Sequence, residues 1–255
     1  MAFGGEILLR PRSWRRLGRF ALTATVAALS PSSYGPAARE LAVRQVYLTA
    51  WRILPGYLAF TALLSMVLIE IVRSAAHNYG VGAFAPELVL RVLVLELLPV
   101  LTALFIALRS GSAIGAEVAL MRVSGTLGED EAPARLTGEL VPRIAGAALS
   151  VFCLTTLACA LAMYLGYAQF YGTSTAGFRI YTRIVGHVFD GVVLWAFALK
   201  CLLFGLAVAL IPLATGLEAE PGQPQSIPAA VLAGLVKLFI IIGAVEVTML
   251  VVKYT

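Results

Sequence analysis

Five long apolar runs decide what this chain can fold into. They cover residues 53–72, 88–108, 144–167, 191–214 and 231–252, and each is 20 to 24 residues long. About 20 residues of helix cross roughly 30 Å of hydrocarbon, so every run is long enough to span a bilayer. A spanning segment meets no water for its N–H and C=O groups, and a helix satisfies them within one segment. The sequence therefore predicts an all-α integral membrane protein with five transmembrane helices. Composition agrees: 60% of the 255 residues are hydrophobic, 13% are charged, and the mean hydropathy is +0.90. A soluble domain is about a quarter charged, and one soluble core has no room for this much apolar surface.

The basic residues predict an orientation. With the N-terminus in the cytoplasm, the inner segments are 1–52, 109–143 and 215–230. They carry Arg10, Arg12, Arg15, Arg16, Arg19, Arg39, Arg44, Arg52, Arg109, Arg122, Arg135 and Arg143. The outer segments, 73–87, 168–190 and 253–255, carry Arg73, Arg179, Arg183 and Lys253. Twelve against four predicts N-terminus inside and C-terminus outside. The net charge is only +5, with no basic patch interleaved with aromatics. No nucleic-acid partner is expected.

Ahead of the first run, Arg10–Arg19 followed by residues 20–29 has the charged-then-apolar order of a signal peptide. The same residues fit an amphipathic helix in the cytoplasmic interface, with Trp14, Leu17, Phe20 and Ala21 against lipid and the arginines reaching phosphate. The interfacial helix is the reading adopted. Pro31, Gly35 and Pro36 end it, and a second short helix is expected over 37–49. Residues 1–48 then form N-terminal cytoplasmic or interfacial helices, and 49–255 the five-span unit.

The remaining segments exclude several kinds of chemistry. Residues 218–228 read as a Pro-, Gln- and Glu-rich turn. Residues 169–189, with Phe170, Tyr171, Phe178 and Tyr181, read as an aromatic belt at headgroup level. Cys153, Cys159 and Cys201 all sit inside apolar runs, and the only histidines are His77 and His187. The cysteines are small buried hydrophobes, and no metal site is expected. There is no GxxxxGK[ST], so the chain does not hydrolyse ATP through a P-loop. Gly111-Ser112 lacks a histidine in a neighbouring span, which removes a serine-protease dyad. No catalytic residue is expected.

The informative stretch is 96–122, ELLPVLTALFIALRSGSAIGAEVALMR. It opens apolar and turns into a small-residue run of Ser110, Gly111, Ser112, Ala113, Gly115 and Ala116. Small residues let helices approach closely in membranes. Arg109, Glu117 and Arg122 punctuate it and put its latter part at the cytoplasmic interface. The expected form is a span running into a tight helix–turn–helix.

This stretch resembles the MlaE/YrbE permease family, the permeases of MCE-associated ABC transporters. Glu96, Leu97, Pro99, Val100, Ala103, Leu104, Ala107, Arg109, Gly111, Ser112, Ala113, Ala116, Glu117 and Met121 carry the likeness. Weaker matches flank it at Arg44-Gln45-x-Tyr47, Pro142-Arg143, Lys200 with Phe204-Gly205, and Glu246-Val247-Thr248. The chain departs from the family pattern at Leu95, Leu98 and Leu108, and in the segment after Met121. It reads as a divergent member.

The resemblance implies a permease subunit that moves phospholipid or a related hydrophobic substrate between the bacterial inner membrane and an MCE-domain protein. A separate ATPase subunit would bind ATP and Mg, and this chain would hold no cofactor. The permease would pair with a second copy or with a related permease. A different class, a non-transporting membrane scaffold or pseudo-permease, stays open on the strength of the departures.

Individual residues follow from this frame. Glu96 and Lys200 lie mid-span, where a charge faces a cavity or a partner. Glu96 is read as lining the lipid path beside Leu95 and Pro99. Lys200 pairs with Glu96 or a lipid phosphate on one reading, and with Glu246 on the other. Arg91 and Lys237 lie nearer span ends and are expected to snorkel. Arg109 and Glu117 form a helix–helix salt link or support the ATPase-facing element. Residues 122–140, with Arg122, Leu127, Glu129, Asp130 and Glu131, are the candidate coupling helix between spans two and three, or a solvated turn.

Overall fold

The computed structural model describes residues 36–125, 141–172 and 174–254, together with Gly18, Leu22 and Thr25. Most of the expected interfacial helix lies outside these residues, as do Leu127, Glu129, Asp130 and Glu131. Helix α1, Pro36–Val46, leads through a π-helical turn, Tyr47–Trp51, into α2, Leu54–Asn78. Then follow α3 (Gly82–Val123), α4 (Val141–Tyr171), α5 (Thr175–Val188), α6 (Gly191–Gly216) and α7 (Ser226–Tyr254). Helices α2, α3, α4, α6 and α7 are each long and apolar enough to cross a membrane. The five runs are five helices.

The helices outrun the apolar runs that predict them. Helix α2 continues past residue 72 to Asn78. Beyond the apolar run, its turns are supported by Arg73, which holds Glu70 at 2.8 Å three residues back. Gly80 then takes a φ of 72°, which lets the chain reverse within three residues. The α2–α3 turn and α5 share one end of the bundle, called distal here. The α6–α7 turn and the C-terminus of α3 share the other, proximal end.

The expected turn inside 96–122 is absent. Helix α3 runs unbroken from Gly82 to Val123. It is π-helical over Leu90–Leu97 and Ala107–Gly111, and α-helical between and after. Residues that signal a turn in water act here as a contact surface. A Cβ on Gly111 would lie 3.2 Å from the Pro212 ring, and one on Gly216 would lie 2.7 Å from the Gly115 carbonyl oxygen. Ser112 Oγ donates to the Leu108 carbonyl at 2.5 Å, so the hydroxyl is satisfied within the helix.

A second difference lies at the distal end. Residues 175–188, within the stretch read as an aromatic belt, form an amphipathic helix that the sequence reading did not set out. Ser174 caps it by accepting from Gly177 N at 3.2 Å. Tyr181 faces the bundle and donates to the Met163 carbonyl at 2.9 Å, with Tyr167 and Tyr171 against its ring. Burial pushes the Tyr181 phenol well above its ordinary range, and nearby Tyr171 adds to the shift. Arg179 and Arg183 face outward.

Lys237 does not snorkel. It is fully buried, and its Nζ donates to Glu218 Oε2 at 3.0 Å. The α6–α7 turn folds Glu218 back over α7, so a counter-ion is nearer than water. Arg91 is half-buried and holds Glu87 at 2.9 Å one turn earlier.

Helix α6 packs against α4, α7 and the proximal part of α3, while α4 also carries α1 and α2. The central core gathers Tyr57, Ile106, Leu154, Phe204, Val208 and Leu238. Helices α2 and α7 lie at the margin, with Leu63, Val67, Ile71, Ile240, Val247 and Val251 turned outward. That outward apolar surface is what a bilayer or another span covers.

Candidate functional site

The site begins with a backbone defect. Pro99 has no N–H, so the carbonyl that residue 99 would normally engage is left unpaired. In α-helical register that is Leu95, and in the π register of Leu90–Leu97 it is Val94. Both carbonyls are taken up by other helices. Lys200 Nζ from α6 donates to the Leu95 oxygen at 3.3 Å. Cys159 Sγ from α4 donates to the Val94 oxygen at 3.5 Å. Proline is tolerated in a spanning helix when neighbours satisfy the freed groups in this way.

Lys200 is buried, with 3% of its surface exposed. Its Nζ also donates to Glu96 Oε2 on α3. Glu246 Oε2 on α7 lies 2.7 Å from the same nitrogen, an ion-pair contact rather than a well-aligned hydrogen bond. The Phe204 ring, one turn along α6, has its centroid 5.9 Å away. Sequence reasoning set Glu96 and Glu246 as alternative partners, and the structure brings both to Lys200 at once. A lone ammonium in this setting would carry a large desolvation cost, which the surrounding oxygens offset.

Glu96 and Lys200 of this triad line a cavity of about 330 Å³ that opens toward the distal end, and Glu246 meets Lys200 outside its lining. Leu95 and Glu96 line it from α3, Val193, Phe197 and Lys200 from α6, and Met249 from α7. Asp190 stands at its mouth and caps α6 by accepting from Val193 N at 2.8 Å. At 1.5 Å per residue, Lys200 lies roughly 15 Å along α6 from Asp190. Pro99 is buried and does not line the cavity; it acts through the carbonyl it frees. Asp190, Phe197 and Met249 escaped the sequence reading. An Asp directly before an apolar run is a cap signal that points to the first of them.

The coupling candidates stand apart from this cluster. Arg109 and Glu117 are exposed on α3, about 20 Å and 31 Å of helix from Glu96. Arg122 is half-buried one residue before the end of α3. Gly222 N donates to the Val123 carbonyl at 3.1 Å, so the end of α3 is tied to the α6–α7 turn.

A five-span helical bundle with a charged site buried mid-span beneath an apolar cavity has the architecture of a membrane transport subunit. The family model for Permease MlaE matches residues 42–252, and the chain belongs to this family. It is a permease component of the ABC transporter type, whose partners include an ATPase. No curated protein matches the chain.

Proposed function

We propose that the chain is the permease subunit of a transporter that moves phospholipid, or a related hydrophobic substrate, between the bacterial inner membrane and an MCE-protein conduit. The observation that carries this reading is the Glu96–Lys200–Glu246 triad, built on the buried Lys200, with Glu96 and Lys200 lining an apolar cavity within the spanning bundle. Apolar walls suit acyl chains and a charged floor suits a headgroup. Cytoplasmic N-terminus and periplasmic C-terminus follow from the arginine distribution, which puts the cavity mouth on the periplasmic side. A second copy or a related permease covers the outward faces of α2 and α7, helices whose most apolar stretches are only 22% and 17% buried within the chain.

ATP and Mg bind in the separate ATPase, which docks against residues 109–143. Its closure pushes the C-terminal end of α3. The Gly222–Val123 hydrogen bond passes that push to the α6–α7 turn. The Glu218–Lys237 pair passes it to α7. Helices α6 and α7 carry Lys200 and Glu246, so the cluster on the lipid path feels the ATPase. Reconstitution with the ATPase and measurement of ATP-dependent lipid transfer tests this. Glu96→Gln and Lys200→Ala are expected to slow transfer at least about tenfold while ATPase binding persists. Wild-type transfer in both variants would remove the triad from the path.

A further inference from the structure

Helix α5 carries charge of one sign only. Its basic residues are Arg179, Arg183 and His187, and it has no Asp or Glu. Arg179 and Arg183 stand four residues apart, so they share a face. Both are exposed, on the side opposite Tyr181 and Val188, which are buried against the bundle. Neither arginine enters an ion pair among the described residues. The acids at this end have other partners. Glu87 holds Arg91 at 2.9 Å and lies 3.8 Å from His187, Glu70 holds Arg73, and Asp190 caps α6. The surface beside the arginines is apolar. Phe178 and Ile180 flank them on either side and are exposed. Through Phe189 and Asp190, α5 leads straight into α6. There Val192, Trp195, Leu199 and Leu202 recur at three and four residues and form one outward stripe, with Trp195 80% exposed.

We infer that α5 and the start of α6 form a docking strip for anionic phospholipid of the distal leaflet. The headgroup phosphate sits on Arg179 and Arg183, and the acyl chains lie over Val192, Trp195 and Leu199. Arginine meets a phosphate through a planar fork of N–H donors, with a charge that no ordinary pH removes. A choline headgroup carries its own cation and offsets that attraction, so a lipid of net negative charge is preferred. Basic residues set among exposed aromatic and aliphatic ones are the composition of a helix that lies on a membrane surface. An exposed tryptophan at the start of a spanning helix is a headgroup-level anchor. The strip also continues into the outward wall of a spanning helix, the side that a bilayer covers. It adjoins Asp190 at the cavity mouth, so a docked lipid stands beside the cavity. The docking rests on the spanning bundle and α5, not on the transport reading.

Fluorescence quenching by brominated lipid tests this. Trp14→Phe and Trp51→Phe leave Trp195 as the one tryptophan in the chain. The protein is reconstituted in phosphatidylcholine vesicles with a minor share of phosphatidylglycerol, and bromine is carried on the acyl chains of one lipid or the other. Quenching of Trp195 then reports which lipid lies against the strip. The expected share of phosphatidylglycerol at Trp195 is at least about threefold above its share of the bilayer, from two arginines near an anionic headgroup. Arg179→Gln with Arg183→Gln should return it to the bulk share, and Arg179→Lys with Arg183→Lys should retain the enrichment, since the charge survives. Raised salt should lower it in the parent protein. Both positions are exposed, so neither pair of substitutions opens the core. A bulk share in the parent protein, an enrichment that survives the Gln pair, or one lost equally in the Lys pair overturns the docking strip. A bulk share in the parent, together with loss of MCE-domain protein binding in the Gln pair, overturns it in favour of a protein partner for this face. None of these outcomes bears on the cavity, which Glu96→Gln and Lys200→Ala test separately.

Discussion

Lys200 ties α3, α6 and α7 together through one nitrogen, and its loss should show first as instability. Lys200→Met keeps the side-chain volume but leaves Glu96 and Glu246 facing each other without a cation, with the Leu95 carbonyl unsatisfied. Removing one partner of a buried ion pair costs about 3–5 kcal/mol. Thermal unfolding in detergent should fall accordingly, and Glu96→Gln added to Lys200→Met should recover part of the loss. Full additivity of the two substitutions would refute the coupling. All three charged members were legible in the sequence, because a charge inside an apolar run has no inexpensive alternative to a partner. The carbonyl freed by Pro99 was not, since which carbonyl is orphaned depends on whether the helix is α or π at that point. Asp190 was hidden for another reason: its role at the cavity mouth depends on where α6 begins.

Among the elements, α3 and α6 approach closely through glycine, and the geometry separates glycines that hold the bundle from those that do not. A Cβ on Gly216 would press on the Gly115 backbone at 2.7 Å, and backbone in a packed helix has little room to retreat. Gly216→Ala should destabilise by about 1–3 kcal/mol, as overpacking does. Gly186 in α5 has nothing within 4 Å of its would-be Cβ. Gly186→Ala should be neutral or stabilise by about 0.4–1 kcal/mol. Melting temperatures of the two variants in one detergent decide the matter, and the order reversed would contradict the packing. Gly111 and Gly115, with the serines beside Gly111, explain why the sequence suggested a turn in 96–122. Ser and Gly punctuate chains in water, but in a bilayer they are the residues that let helices touch. Helix α5 was missed because its apolar face is partly aromatic, and the aromatic residues read equally well as an interfacial belt. Lys237 was misread because its counter-ion, Glu218, comes from a turn whose path back over α7 no local pattern encodes.

At the scale of the whole molecule, five spans were legible because length and hydropathy alone settle them in a bilayer. The order of packing, with α4 and α6 inside and α2 and α7 at the margin, was not, since all five runs are similarly apolar. The transporter reading adds a demand that the bundle itself does not meet: force must enter from the ATPase. The entry point proposed is the segment following α3, where Glu129, Asp130 and Glu131 concentrate negative charge ahead of Arg135 and Arg143. Those residues lie outside the described part of the structure, yet the helix that feeds them is tied at Val123 to the α6–α7 turn. Changing all three acids to Lys reverses the charge of the segment and leaves the sequence of the five spans unaltered. Charge placed against its own sign across an interface slows association and can cost several kcal/mol. Co-purification with the ATPase should fall at least about tenfold, and the loss should shrink as salt is raised, because the Debye length drops from about 10 Å at 0.1 M to about 3 Å at 1 M. Photo-crosslinking of lipid at the cavity should stay at the wild-type level, since Glu96 already lies roughly 40 Å of helix from Val123, the end of α3 that precedes the changed residues. Undiminished ATPase binding would remove this segment from coupling and return the search to Arg109 and Glu117.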